Sequence, residues 1–309
     1  MMIYEKHMAD CNLADVLFLL HKTGKKMDAC KKEKHEMGLE GKELEELYLR
    51  QYSGAGEEYR LFSTKVNETE YRLTMHYLHK FLKPGDRIID IGAGCGVYTN
   101  ALAKEGYSID AIDLHPDNVA RMKELFKDAK NINVHQGNAL DLKEFNDNTY
   151  DLVLELGPVY HLHKTSERIA AIKEAVRVAK KGAPIFVAFV LQDAPLIQYI
   201  FQHENPAEEI KTIGYERDTA RVTDNTGSSI YLDTIATIDE LTELVLQEVP
   251  VTKGPRFAQD GLSHVIRDSV NNMSEASYNE WLQYLVATAE RADLMGYSNH
   301  VVQVFIKQC

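Results

Sequence analysis

Residues 88–100 read IIDIGAGCGVYTN: a short apolar run carrying one acid, Asp90, then glycines at 92, 94 and 96. A strand that breaks at Gly92-Ala93-Gly94 turns tightly and brings backbone N–H groups close to a ligand. The helix expected over 97–105 then presents its positive N-terminus to the same place. In dinucleotide-binding loops the ligand group is a pyrophosphate, which a nearby carboxylate repels. Asp90, two residues before Gly92, instead favours a ligand that carries an ammonium.

Outward from this loop the chain alternates strand, loop and helix. Strands are expected at 87–91, 108–112, 132–136, 150–155 and 184–190, and helices at 97–105, 116–129 and 165–180. The strands lack strict polar alternation, as in a parallel sheet covered on both faces, and right-handed crossovers are the natural connections. Strand two ends in Asp113, placed to accept both hydroxyls of a ribose or else to cap the helix beginning near Pro116. After strand three, QGNALDL (136–142) offers the Asn138 side chain and the Ala139 N–H to an adenine edge, and Leu114 an apolar wall for its face. Adenosine joined to an amino acid is S-adenosylmethionine, and these residues together point to it.

Residues 86–190 resemble a class I S-adenosylmethionine-dependent methyltransferase domain. The marks are DIGAGCG, the strand-two acid, GNA, YDLVLELGPVYHL through strand four and RVAKKGAPIFVAF at strand five. Two departures stand out: Asn138 where Asp is commoner, and Lys181-Gly182-Ala183 in place of the usual Lys-Pro-Gly-Gly hairpin. GPVYHL, EYRLF and the segment GLSHVIRDSVNNMSEASYNEWLQYLVATAERADLMGYSNH further resemble a bacterial small-molecule-type subgroup. The resemblance implies a doubly wound, mostly parallel seven-stranded α/β sheet with an N-terminal helical layer and an insertion after strand five. The expected divisions are a helical cap (1–80), the cofactor-binding core (81–191), a substrate lid (192–237) and a C-terminal part of the core (238–309).

Gly92, Gly94, Asp90, Asp113, Leu114, Asn138 and Ala139 form the expected cofactor site. Leu156, at the end of strand four, is placed near the sulfonium, and Arg60 either pairs with the methionine carboxylate or makes a surface salt bridge. Asp90 either organises the ammonium or serves the following helix. Tyr160, His161 and His163 are the titratable or hydrogen-bonding groups nearest an acceptor, each His as a proton-accepting or a structural group. Glu155 is either a further group at the acceptor or merely a cap for backbone groups, and Asn299 and His300 either line the acceptor pocket or tie down the chain end.

The formal charge of -12 disfavours nucleic acid and anionic membranes. The absence of NPPY or DPPY after strand four weakens methylation of exocyclic base amines. Four scattered cysteines form no CxxC pair, no Cys–His spacing suggests a metal, and no apolar run spans a membrane, so a cytoplasmic protein without a metal is expected. The acceptor is expected to be a small molecule, with the oligomeric state open. Two rival readings are a nicotinamide-dependent oxidoreductase, opposed by Asp90 and GNA, and a non-catalytic cofactor-binding protein on the same fold.

Overall fold

The computed structural model describes residues 46, 48–49, 60–198, 200–202, 205–211, 214–222 and 230–308. The first 45 residues of the expected helical cap lie outside the described residues. Helix α1 (Lys65–His79) starts at Thr64, whose side chain accepts from the Asn67 N–H, and leads into β1 (Arg87–Ile91). There follow α2 (Val97–Lys104), β2 (Ser108–Asp113), α3 (Pro116–Leu125), β3 (Ile132–Gln136), β4 (Leu152–Glu155), α4 (Thr165–Val178) and β5 (Pro184–Leu191). The expected strands and helices all occur in this stretch, with ends shifted by a few residues.

The sheet runs β3-β2-β1-β4-β5-β10-β9, where β9 is Val251–Ala258 and β10 is His300–Lys307. β1 to β5 pair in parallel, and β10 is antiparallel to both its neighbours. An eighth strand, β8 (Leu232–Asp233), pairs with the end of β5, so the sheet has eight strands where the sequence suggests seven. Consecutive residues face opposite sides. Ile88, Leu154, Phe186 and Val304 meet α1, α2 and the later helix α9 (Glu275–Thr288). Ile89, Val153, Val187 and Phe305 meet α4 and α7 (Ile235–Glu248). Both faces are therefore covered, and the carboxyl ends of β1, β2 and β4 open together along one edge.

The excursion after β5 is not a plain loop. It holds α5 (Asp193–Gln198), α6 (Pro206–Glu209) and a two-stranded pair, β6 (Tyr215–Glu216) with β7 (Arg221–Val222). Leu196, Ile200 and Ile210 form a small apolar cluster of their own with Tyr215 and Val222. Helix α7 begins at Ile235, where Thr234 and Thr237 form a reciprocal capping box. Between β9 and α9 lies one short helix, α8 (Arg267–Asn271). None of the described helices is long and apolar enough to cross a membrane.

Two buried polar features mark the α4 face. Arg168 on α4 donates to both carboxylate oxygens of Asp233 at 3.1 and 2.5 Å, which ties β8 to the core. Glu155, at the end of β4, is fully buried and neither carboxylate oxygen has a hydrogen-bond partner, contrary to a capping role. Burial pushes its carboxyl up to about 8.

Removing one member of a buried ion pair strands the other, whereas replacing both with apolar groups does not. Asp233→Leu should therefore cost about 3–5 kcal/mol in urea unfolding, and the double change with Arg168→Leu distinctly less. For Glu155, the folded chain holds a proton that the unfolded chain releases above about pH 4.5, so stability falls as pH rises from there to about 8. The thermal midpoints of wild type and Glu155→Gln should diverge across that window in favour of the variant. The upper bound on the gain is ~5 kcal/mol at alkaline pH.

Candidate active site

The glycine loop is fixed by contacts with β2. The Gly92 and Ala93 N–H groups both donate to the Ile112 carbonyl, at 2.8 and 2.9 Å. Gly92 has φ +74°, and a Cβ there would lie 2.6 Å from Pro158 Cδ in the loop after β4. Gly94, at φ +57°, has nothing within 4 Å of where its Cβ would stand. The loop is thus walled by Pro158 at one glycine and open at the next, the form of a cradle for a ligand that approaches the backbone closely.

Asp113 anchors the cradle. Its Oδ2 accepts from the Gly94 N–H at 2.7 Å, and its Oδ1 accepts from the His115 N–H at 2.8 Å and Asn118 Nδ2 at 3.1 Å. Burial pushes the carboxyl up, against the lowering effect of these bonds. A carboxylate has about four acceptor sites, so Asp113 has room for about one more donor on Oδ2 in this arrangement. The helix cap that sequence also allowed for Asp113 falls to His115, whose Nδ1 accepts from the Asp117 N–H.

Asp90 is buried behind the loop and accepts from the Thr99 hydroxyl at 2.7 Å. Burial raises it to about 6, with the Thr99 bond opposing. A carboxylate in that condition is stabilised by an approaching cation. Asn138 uses its Oδ1 on the Leu140 N–H at 2.9 Å, while Ala139 is buried beside it and Leu114 is partly buried at the end of β2. Leu156 packs with the apolar cluster on the α1 side of the sheet, the face that Asp90 shares with Ile88. Cys95 Sγ lies 3.7 Å from Asn118 Oδ1, a weak contact.

The loop after β4 forms a 3-10 turn, Pro158–His161. It places the Tyr160 ring 4.7 Å from His161 and 6.5 Å from His300. The His163 ring lies 5.9 Å from that of Tyr231. The N-terminal segment reaches over the same edge. Tyr48 meets His161 edge-on at 4.9 Å and His115 at 6.3 Å, and the Leu49 carbonyl lies 2.9 Å from His115 Nε2. Two residues far from the core in sequence thus bridge the loops after β2 and β4, which flank β1.

Sequence reasoning missed a buried polar cluster next to Tyr160. Arg60 donates to both oxygens of Glu70, at 2.8 and 3.3 Å, a partly buried pair and not a surface one. His300 Nδ1 lies 3.2 Å from Asp260 Oδ2 and 3.6 Å from Glu70 Oε2. Burial works to raise Glu70, but Arg60 and His300 hold it down to about 2. For His300 burial works the other way and is outweighed by Glu70 and Asp260, so the imidazole holds its proton above the usual range. His300 lies at this edge because it opens β10 opposite Val190, near the end of β5.

Comparison with known proteins bears on the part of the chain that carries these features. Residues 88–182 match a family model described as a methyltransferase domain. The ribosomal RNA small subunit methyltransferase A of Pseudomonas syringae pv. tomato is 38% identical over 58 residues, 19% of this chain and 22% of that protein. The ubiquinone biosynthesis O-methyltransferase of Hahella chejuensis is 28% identical over 109 residues, 35% of this chain and 44% of that one. The chain therefore spans less than half the length of either relative. A chain from the complex between the Haloferax volcanii Trm112 methyltransferase activator and a methyltransferase shares the fold, with TM-score 0.50 and 14% identity over 78% of this chain and 92% of that one. The fold, the glycine loop with its two acids and the family match agree: residues 88–182 are a class I S-adenosylmethionine-dependent methyltransferase domain.

Proposed function

We propose that the chain transfers a methyl group from S-adenosylmethionine to an oxygen or nitrogen of a small organic molecule. The observation that carries this reading is the pairing of Asp113 with the Gly94 N–H beside an open glycine face. That pairing sets a carboxylate and a bare stretch of backbone at the same point, as a ribose joined to a compact amino-acid chain requires. Asp90, raised by burial, suits the ammonium. Asn138 and Ala139 take the adenine edge, Leu114 its face, and Leu156 the neighbourhood of the sulfonium. Arg60, paired with Glu70, is within the same face and is assigned to the methionine carboxylate.

The cofactor, when bound, supplies an electrophilic methyl carbon. The chain has to align the acceptor with it, keep water out and take up a proton where the acceptor releases one. Tyr48 and Leu49, bridging the loops after β2 and β4, are suited to closing the cofactor in. Tyr160 and His161 lie together at the strand-four end and are assigned to the acceptor, with His161 as the group that takes its proton. His163, beside Tyr231, serves the wall formed by the insertion. A small acceptor is favoured by the charge of -12 and by the apolar cluster within the insertion. The likeness to the ubiquinone O-methyltransferase extends over almost twice as many residues as that to the ribosomal RNA enzyme.

Calorimetric titration of the full chain should show binding of S-adenosylmethionine and none of NADH; the reverse result would replace this reading with a nicotinamide enzyme. Asp113→Ala should weaken S-adenosylmethionine binding by about 10–100-fold, as expected for the loss of a hydrogen bond to a charged group worth about 1.5–3 kcal/mol. Unchanged affinity in a folded variant would remove Asp113 from the site. The acceptor is found by incubating the enzyme with methyl-labelled cofactor and fractionated metabolites, then following the label. A folded, cofactor-binding chain that labels no compound in such a screen would favour the non-catalytic reading.

A further inference from the structure

We propose that Glu70, Asp260 and His300 form a binding site for a divalent transition-metal ion such as Zn2+ or Mn2+. One donor atom from each lies within 4.8 Å of the other two. The spacing is the decisive observation. Tetrahedral coordination with bonds of about 2.0–2.1 Å places neighbouring donors roughly 3.3 Å apart. His300 Nδ1 is 3.2 Å from Asp260 Oδ2 and 3.6 Å from Glu70 Oε2. The third edge of the triangle is no longer than 4.8 Å. His264 Nε2 lies 3.9 Å from Asp260 Oδ2, outside the three-residue cluster.

The surroundings hold these donors from behind. Ser298 Oγ and the Asn299 N–H donate to Asp260 Oδ1, at 2.6 and 2.7 Å, so Oδ2 is the oxygen turned toward His300. Arg60 fixes Glu70 through both oxygens, and each oxygen retains a second lone pair. Hydrogen bonds of this kind to a coordinating carboxylate are usual around bound metals. The charges are two carboxylates against one guanidinium, which leaves a negative balance that either a proton on His300 or a metal cation offsets. Two carboxylates with imidazole suit zinc or manganese better than the thiolate-seeking ions.

The three residues come from the middle of α1, the turn after β9 and the first residue of β10, so no local spacing announces them. They converge at the carboxyl edge, with the Tyr160 ring 6.5 Å from that of His300. An ion there would stand on the acceptor side and bind an acceptor oxygen. The site itself does not depend on the glycine loop binding S-adenosylmethionine.

The test is calorimetric titration of the full chain, stripped with EDTA and dialysed, with ZnCl2 and separately with MnCl2. Wild type and Asp113→Ala should each take up one ion per chain. Asp260→Asn and His300→Gln, shown folded by circular dichroism, should bind at least about tenfold more weakly. In the folded wild type, Mn2+ should also broaden the His300 imidazole proton signals, assigned through His300→Gln. Failure of both ions to bind wild type saturably, or binding that persists in both variants and leaves His300 unbroadened, would show a hydrogen-bonded cluster only and overturn the proposal. Because Asp113→Ala is expected to lose S-adenosylmethionine and keep the ion, failure of either reading leaves the other standing.

Discussion

The bond from the Gly94 N–H to Asp113 joins three things that sequence presents separately: the end of β2, the loop after β1 and the start of α2. It requires β1 and β2 to lie in register, Ile91 opposite Ile112, so that the loop leaves β1 beside the β2 carboxylate. It also requires a backbone that turns at positive φ without a side chain in the way. Pro158 then leans on Gly92 from the β4 side and leaves no space for a Cβ. The cradle is therefore the product of three strands. A change in the packing of β4 would move Pro158 and alter the loop without touching any of its residues.

The sheet is legible in the sequence because its central strands are buried on both faces. RIIDI, LVLE and PIFVAFVL read as short apolar runs between turn residues, and no other element suits such runs in a chain with helices between them. Strand β8 is not legible, since two residues carry no periodicity. It exists because Arg168 reaches Asp233 from another element and Val190 pairs with Leu232. The start of α7 is a local matter of a different kind: Thr-x-x-Thr forms a capping box with a hydroxyl where the commoner pattern has Glu or Gln.

The glycine loop and its acids were visible because they are close in sequence and their chemistry is tied to a motif. Glu70, Asp260 and His300 were not visible, because motif reading looks for ligands at fixed local spacing. Only folding brings α1, the end of β9 and the start of β10 to one point. His300 itself drew notice as a residue before the last strand, yet its partners could not be named. The antiparallel turn of β10 places its first residue, and not its last, at the functional edge.

Three different solutions to buried charge meet along this edge, and they differ in what they ask of a ligand. Arg168 and Asp233 are joined by two hydrogen bonds, with Arg168 Nε left buried and without a partner, so that pair serves the fold. Asp113 is held by peptide and amide donors with an acceptor site to spare, so a ligand gains by adding one bond and disturbs nothing. Arg60 offsets one of the two carboxylates of Glu70 and Asp260, so the cluster is balanced by a proton on His300 or by a cation in its place. A cluster whose balance rests on one exchangeable proton responds to whatever competes for the imidazole. That cluster lies beside Tyr160, whereas at the glycine loop the Asp113 carboxylate is held in place by the Gly94 and His115 peptides and the Asn118 amide.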